Sequence, residues 1–532
     1  MTETLSLVAP SLVAPSLEAL SRPLGGSVMA RDALGGALND WYAPVPAGGD
    51  GWRSAAETVA REFAGRDWLA ALQPALDASG AAQARLRECS AAGGIVVTAG
   101  QQPGLFGGPL YVLHKALTAL ALADELQERT GIATAPIFWA ATDDTDFVEA
   151  NHVGVVLHGE LRTLGGTPST TPGRSMAETP IGDIAVDKLR LLEACGSAAD
   201  ASPLAAVLAS YEPGATVGGA YVELLRNLLQ PLGIAVLDAA HEAVRRAAFP
   251  MVRRALVNAE AVRDALQQRT LEIRGLKHRP QVADVAALSL VFATAPDGSR
   301  QRVRVRNASG LATEAGRDDE RGRLGPNVLL RPIVERTILP TIAYVGGPGE
   351  VAYFAQVSAV ANALGAPWPR IVPRWSGTLI EPQVREILER LGASVSDFRD
   401  PHAIEGRIAR SEISPGVQSA LAHISAVLAR ESDVLKAEPA TSQALQRSVE
   451  SMRRGAEHRL ARLERRYAAA VKQSGTQRLH DVAAARASLF PGGEPQERVL
   501  SFIPFLSKYG SATTDVVLAS ARAHVSKLIS GG

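Results

Sequence analysis

The chain has 532 residues, 46% apolar and 21% charged, an ordinary balance for a soluble globular protein and enough length for several domains. Its 55 basic and 55 acidic residues cancel, so no global charge favours nucleic acid or an anionic membrane. Two cysteines, Cys89 and Cys195, are too few for a disulfide scaffold or a thiolate zinc site and suit a reducing compartment.

The start repeats SLVAP at residues 6–10 and 11–15. It lacks the basic beginning and continuous apolar stretch of a signal peptide. No apolar run reaches the ~20 residues of a membrane helix. The expectation is a cytoplasmic protein with no membrane partner.

Five short β-branched or apolar runs, at 94–98, 136–140, 233–237, 341–345 and 370–372, are each followed by a helical pattern. Buried parallel strands of a doubly wound α/β sheet read this way. Roughly ninety residues separate the second run from the third, and about a hundred the third from the fourth, far beyond the connections of a compact α/β domain. Two insertions are therefore predicted. The first has a turn-rich middle, LGGTPSTTPGRS; in the second, Asp297-Gly298 between strand-like runs signals a hairpin.

The last third changes character. Val417, Leu421, Ile424, Leu428 and Leu435 recur at helical spacing, EPAT interrupts, and Leu445, Val449, Met452, Ala456, Leu460, Leu463, Tyr467 and Ala470 follow with one stutter. An antiparallel helical hairpin or coiled coil is predicted. Its second arm reaches about 70 Å if unbroken to residue 488. Such an arm cannot bury its stripe against one short partner, so a homodimer is expected; Glu interleaved with Arg argues against nucleic acid. The expected division is 1–25 flexible, 26–152 first core part, 153–230 first insertion, 231–280 core, 281–325 second insertion, 326–400 core, 401–488 coiled coil, and 489–532 returning to the core.

The first strand run leads into VVTAGQQPGLFGGPLYVLHK. It has no Gly-Lys pair for a Walker A loop, and Gly100, Gly104, Gly107 and Gly108 do not match G-x-G-x-x-G. A glycine-rich turn before a helix still offers backbone N–H groups to an anion, so these four glycines are candidate cofactor-binding positions. Pro109 suits the first helical position. Leu110, Leu113, Leu117 and Leu120 form a buried stripe, Tyr111 and Lys115 share a flanking face, and His114 lies nearer the apolar side. Gln101 and Gln102 stand at a strand's carboxyl end, where open α/β sheets bind ligands.

The second run ends in WAATDDTDFVEANHV. Carboxylates this dense repel unless they meet a cation, an amine or basic side chains, and spacing alone specifies no metal site. After the fourth run, residues 347–352 read G-P-G-E-V-A, a dinucleotide fingerprint in the right strand-to-helix context. Glu350 puts a carboxylate where a pyrophosphate would sit, and Arg374 and Trp375 replace the acid expected after the next strand. Asn327 and Arg331 precede the fourth run; Arg331 suits a substrate carboxylate or phosphate, or, as a structural arginine, a neighbouring carboxylate.

Five stretches in order, TAGQQPGLFGGPLYVLHKA, FWAATDDTDFVEANHV, NVLLRPIVERTILPTIAYVGGPGEVAYFAQV, VPR at residues 372–374 and LFPGGEPQERVLSFIPFLSKYG, resemble the BshC family, the cysteine-adding enzymes of bacillithiol biosynthesis. The resemblance implies a Rossmann-like core related to class I aminoacyl-tRNA synthetases, two connecting insertions and a C-terminal coiled coil that dimerises. It also implies a ligase that joins cysteine to the amine of glucosaminyl-malate, using ATP, with Mg²⁺ as its possible companion. Asp143-Asp144-Thr145-Asp146 stands where the family commonly has Glu-Asp-His-Asp. The synthetase signatures His-x-Gly-His and Lys-Met-Ser-Lys-Ser are absent.

On that reading Lys115, Arg331 and the loop amides stabilise phosphate charge. Asp144, Asp146, His152 or His114 handle the amine's proton. Gln101, Gln102 and Asn151 read the sugar hydroxyls, Tyr111 and Asp143 are further substrate-binding positions, Arg374 or Arg498 hold malyl carboxylates, and Glu350 and Tyr353 face the same cleft. No metal ligands are expected. Two other readings remain: an NADP-dependent oxidoreductase using residues 347–352, and a non-catalytic coiled-coil scaffold.

Overall fold

The computed structural model describes residues 17–165, 173–198, 202–283, 285–314, 323–438, 442–473 and 477–530. The SLVAP pair, most of LGGTPSTTPGRS and most of EPAT lie outside them. The strands described are β1 (Glu18–Ser21), β2 (Ile95–Gln101), β3 (Thr134–Ala140), β4 (His152–Leu157), β5 (Glu160–Gly165), β6 (Ala235–Asp238), β7 (Leu288–Thr294), β8 (Arg300–Arg304), β9 (Leu324–Pro326), β10 (Thr341–Gly346), β11 (Arg370–Pro373) and β12 (Gly377–Ile380).

Five of these form one parallel sheet in the order β11-β10-β2-β3-β6. They are the five runs read from the sequence, shifted by a few residues. β3 is buried along its whole length, which explains its unbroken apolar character. Strand order reverses between β2 and β10, so the sheet is Rossmann-like with its switch point there.

Helix Leu110–Thr130 leaves β2 and packs on β2 and β3. Fifteen of its residues are buried, more than one leucine stripe supplies, because helices Gly48–Glu62 and Ser511–Ser530 also pack against it. Pro109 is its cap, one place before the expected position, and the Leu110 N–H donates to Leu500 O at 2.8 Å. Helix Pro348–Leu364 leaves β10 and is buried over most of its length.

Both insertions are present. Between β3 and β6 lie the β4–β5 hairpin and helices Ala185–Cys195, Ser202–Ser210 and Val217–Leu229. Between β6 and β10, helices Glu242–Val257 and Ala259–Gly275 precede a three-stranded antiparallel sheet, β8-β7-β9. The expected hairpin is β7–β8. Gly298 turns it at φ +84, and Asp297 accepts from the Ser299 N–H at 2.9 Å.

The chain forms two compact units. One holds residues up to Val155, Arg162–Leu379 and Glu497–Gly532; the other holds Val156–Leu161 and Ile380–Gln496. The second begins near Ile380 rather than residue 401, because Ile380, Val384, Leu388 and Phe398 share a small core with Val482, Leu489 and Phe490. In this unit helices Pro415–Ala437 and Gln443–Gln473 pack together, with Lys436 Nζ 3.3 Å from Glu450. The second arm spans 31 residues, about 46 Å at 1.5 Å per residue; its expected continuation to residue 488 crosses 474–476, outside the described residues. Leu435, Leu445, Met452 and Leu463 are 51%, 55%, 51% and 42% exposed, so the stripe is not buried within one chain.

Candidate active site

A cavity of about 580 Å³ opens at the carboxyl ends of the central strands, within the size range of small-molecule sites. β2 supplies Gly100 and Gln101, the turn after β3 supplies Asp143 and Asp144, and the turn after β10 supplies Gly347 to Glu350. Gln102, Tyr111, Lys115, Arg331, Tyr353, Arg374 and Arg498 complete the sequence-predicted residues that line it. Phe292, Arg300 and Arg302 of the small antiparallel sheet form a wall that sequence reading did not assign.

Lys115 sits at the switch point. Its ammonium donates to Gly100 O at 2.7 Å and Gln101 Oε1 at 2.9 Å, and lies 2.6 Å from Glu350 Oε2. Burial pulls its pKa down, and Glu350 opposes that. Three acceptors at one nitrogen demand the ammonium form. Burial would raise Glu350, but Lys115, Tyr344 and the Gly347 N–H outweigh it and hold the carboxyl below its usual range. The Gly347 N–H donates to Glu350 Oε2 at 2.6 Å. The residue 347–352 turn thus places its own carboxylate on the amide a pyrophosphate would take, which disfavours the dinucleotide reading.

Arg331 lies over the Tyr344 ring at 4.8 Å, pairs with Glu335 at 2.7 Å, and reaches the Tyr353 hydroxyl at 3.5 Å. Glu335 is fully buried and also accepts from Thr98. Arg331 is therefore a cleft-wall cation whose charge is already partnered.

Behind the cleft, Glu497 accepts five hydrogen bonds from four residues. Arg374 binds it bidentately at 2.9 and 2.6 Å, His114 Nδ1 at 3.0 Å, the Ser376 hydroxyl at 2.9 Å and the Gly377 N–H at 3.2 Å. Burial would raise the Glu497 carboxyl, but these donors, Arg374 foremost, hold it far below the usual carboxylate range. Arg374 therefore spends its fork on Glu497 rather than on a substrate carboxylate. His114 is fully buried, edge-on to Trp375, and away from the cavity lining.

The acidic turn divides. Asp144 accepts from the Thr145 N–H at 2.6 Å, the Asp146 N–H at 3.0 Å and Gln102 Nε2 at 2.6 Å, so it organises the turn. Asp143 faces Arg300 at 3.4 Å, and burial raises its carboxyl above the usual range, with Arg300 opposing. Asp146, Asn151 and His152 do not line the main cavity. His152 instead borders a smaller neighbouring cavity that also touches Gln102 and Arg498.

The glycine loop is closed on itself. The Gly107 N–H donates to Gly104 O at 3.0 Å and to the Tyr211 hydroxyl at 3.2 Å, and the Gly108 N–H donates to Leu105 O at 3.0 Å. A Cβ at Gly107 would lie 2.5 Å from the Phe502 ring. With these two amides spent internally, Gly107 and Gly108 do not form the outward cradle expected for phosphate; Gly104 accepts from the Tyr211 hydroxyl at 3.2 Å, and Gly100 presents its carbonyl to Lys115. Arg498 differs from the other cations: its exposed side chain lines the cavity and makes no hydrogen bond or ion pair among the described residues.

The sequence pattern described as "Bacillithiol biosynthesis BshC, N-terminal Rossmann-like domain" matches residues 51–375, and "Bacillithiol biosynthesis BshC, C-terminal coiled-coil domain" matches 377–524. The chain belongs to the BshC family. A BshC relative in Koribacter versatilis, named "Putative cysteine ligase BshC", is 34% identical over 81% of this chain and 82% of its own. Proteins of the same name in Solibacter usitatus and Symbiobacterium thermophilum are 32% and 28% identical, over 83% and 92% of this chain and 85% and 95% of theirs.

In this BshC chain, no three His, Cys, Asp or Glu side chains converge as metal ligands among the described residues. No described helix is long and apolar enough to cross a membrane. Glu497 and Glu335 are buried carboxylates to which sequence reading gave no role. For Glu497 the signal is the polar string Gln496-Glu497-Arg498 beside aromatic and proline residues, which a surface tail does not need.

Proposed function

We propose that this chain is a cysteine ligase of bacillithiol biosynthesis. It joins the carboxyl of L-cysteine to the amino group of glucosaminyl-malate, forming an amide and releasing the activated carboxyl's leaving group. The supporting observation is the match of both BshC domains across a fold whose polar cleft opens at the switch point. A carboxylate oxygen is a poor leaving group, so ATP supplies the activation, and any Mg²⁺ enters with it. The closed glycine loop does not fit the phosphates, and no step is assigned there.

The amine must be neutral to attack. Asp143 lines the cleft with a carboxyl made more basic by burial, which suits a proton acceptor. Asp144 fixes Gln102, and Gln101, Gln102 and Tyr111 face the bound sugar. Arg498, without a partner among the described residues, offers its guanidinium to a carboxylate or phosphate. Two buried free thiols fit a cytoplasmic setting, and the exposed stripe of the helical hairpin fits a homodimer.

The test is product formation. The full-length chain, given glucosaminyl-malate, cysteine and ATP, should yield bacillithiol by mass. No product, with a relative active under identical conditions, overturns the proposal.

A further inference from the structure

A side chamber of about 240 Å³ adjoins the main cleft and shares Trp139, Asp143, Arg300 and Pro326 with it. Helix Glu242–Val257 brings Arg245 to its wall. The Arg245 Nε is buried without a partner, and its side chain makes no hydrogen bond or ion pair among the described residues. The chamber's other cations are engaged. Arg300 pairs with Asp143 at 3.4 Å and lies 4.8 Å from the Phe292 ring centroid. Arg323 donates to Thr294 O at 3.0 and 3.2 Å. A Cβ at Gly325 would stand 2.8 Å from Arg300 Nη2, so glycine there makes room for that side chain.

A buried N–H without an acceptor is costly, and native proteins seldom keep one. Three arginines against Asp143 and Glu178 leave the chamber one positive charge in excess. The cavity is small for a nucleotide and ample for a short diacid. We infer that this chamber is a binding site for a compact oxyanion, a carboxylate or phosphate group, held by Arg245. The inference deepens the ligase reading and rests on it in one respect: the anion expected is the malyl part of the amino-sugar substrate.

Titration calorimetry of the full-length chain tests it, with L-malate and inorganic phosphate as separate probes. The variants are Arg245→Met and Arg246→Met, the latter changing an exposed neighbour paired with Glu242. Wild type and Arg246→Met should bind at least one anion at millimolar concentration, and Arg245→Met should bind it at least tenfold more weakly. Malate binding assigns the substrate carboxylates; binding of phosphate alone assigns a phosphoryl source. If neither anion binds, or Arg245→Met binds as wild type does, the inference fails. Should Arg245→Met not fold, Arg245→Lys keeps the charge but loses Nε; wild-type affinity in that variant also defeats the inference. Binding is read without turnover. Absent ligation with Arg245-dependent malate binding defeats the ligase reading alone. Ligation in Arg245→Met with an unchanged KM for the amino sugar defeats this inference alone.

Discussion

Glu497 holds Arg374 by both carboxylate oxygens, with the two side chains only 5% and 2% exposed. Removing one partner of a buried pair leaves a charge unmatched and costs about 3–5 kcal/mol. Glu497→Gln should therefore lower the unfolding free energy of the core, read from denaturant titration, by an amount in that range. Arg374→Met should do the same. The double variant should recover much of the loss, and additive losses would show that the two side chains do not act as a pair.

Acid should weaken the same cluster. Burial depresses the His114 pKa, with Glu497 opposing, and Nε2 has no partner among the described residues. A neutral ring donating from Nδ1 to Glu497 is consistent with both. A base depressed in the folded state binds its proton more readily when unfolded. Stability is thus full above the unfolded value of about 6.5 and falls as pH drops below it, by up to about 1.4 kcal/mol per pH unit. Glu497 adds a further loss below its unfolded value of about 4.3. Denaturation midpoints between pH 7.5 and 5 should show a shallower slope in His114→Gln. His524, also depressed by burial, keeps part of the slope.

Lys115 and Glu350 are a second buried pair, 2.6 Å apart. Lys115→Met strands the Glu350 carboxylate, and Glu350→Gln strands the ammonium. Each should destabilise by about 3 kcal/mol, with the double variant closer to wild type. Recovered stability with abolished ligation would separate a catalytic need for the ammonium from its structural one.

Arg498 predicts the opposite pattern. Its guanidinium is exposed and without a partner among the described residues, so Arg498→Ala should leave the melting temperature within about a degree. A charge-assisted contact to substrate is worth about 1.5–3 kcal/mol, so kcat/KM should fall roughly 10- to 100-fold. Unchanged kinetics would remove Arg498 from the site.

The helical hairpin carries its own test. Leu445, Met452 and Leu463 are 55%, 51% and 42% exposed in the single chain. Light scattering should give a dimer for the wild type, and Met452→Glu with Leu463→Glu should shift it toward monomer. A wild-type monomer at micromolar concentration would contradict the homodimer.

The strands were legible because β2, β3, β6, β10 and β11 are buried runs bounded by turns, and burial writes itself as uninterrupted apolar residues. The helical hairpin was legible through its three-and-four spacing. Partner choice was not. Arg374 and Lys115 each read as a free cation, yet each meets a carboxylate: Glu497 lies 123 positions from Arg374 in sequence, and Glu350 faces Lys115 across the sheet's switch point; for Arg331 the structural alternative holds, with Glu335 one helix turn away. The glycine loop misled for a similar reason. Glycine reports a tight backbone, and Tyr211, from the first insertion, takes the Gly107 amide. Arg245 gave no signal at all, since an unpartnered cation looks like any other helical arginine.

The bond between Arg374 and Glu497 also sets an order of events during synthesis. Ribosomes extend a chain at about 5–20 residues per second, so the 123-residue gap takes roughly 6–25 s. Through that interval all five core strands have emerged, yet the guanidinium behind them has no counter-ion. Long-range closure of this kind slows folding and leaves apolar surface available to chaperones. The core is finished from its last segment inward, and a chain released before Glu497 carries an unneutralised buried charge just past the edge strand of its sheet.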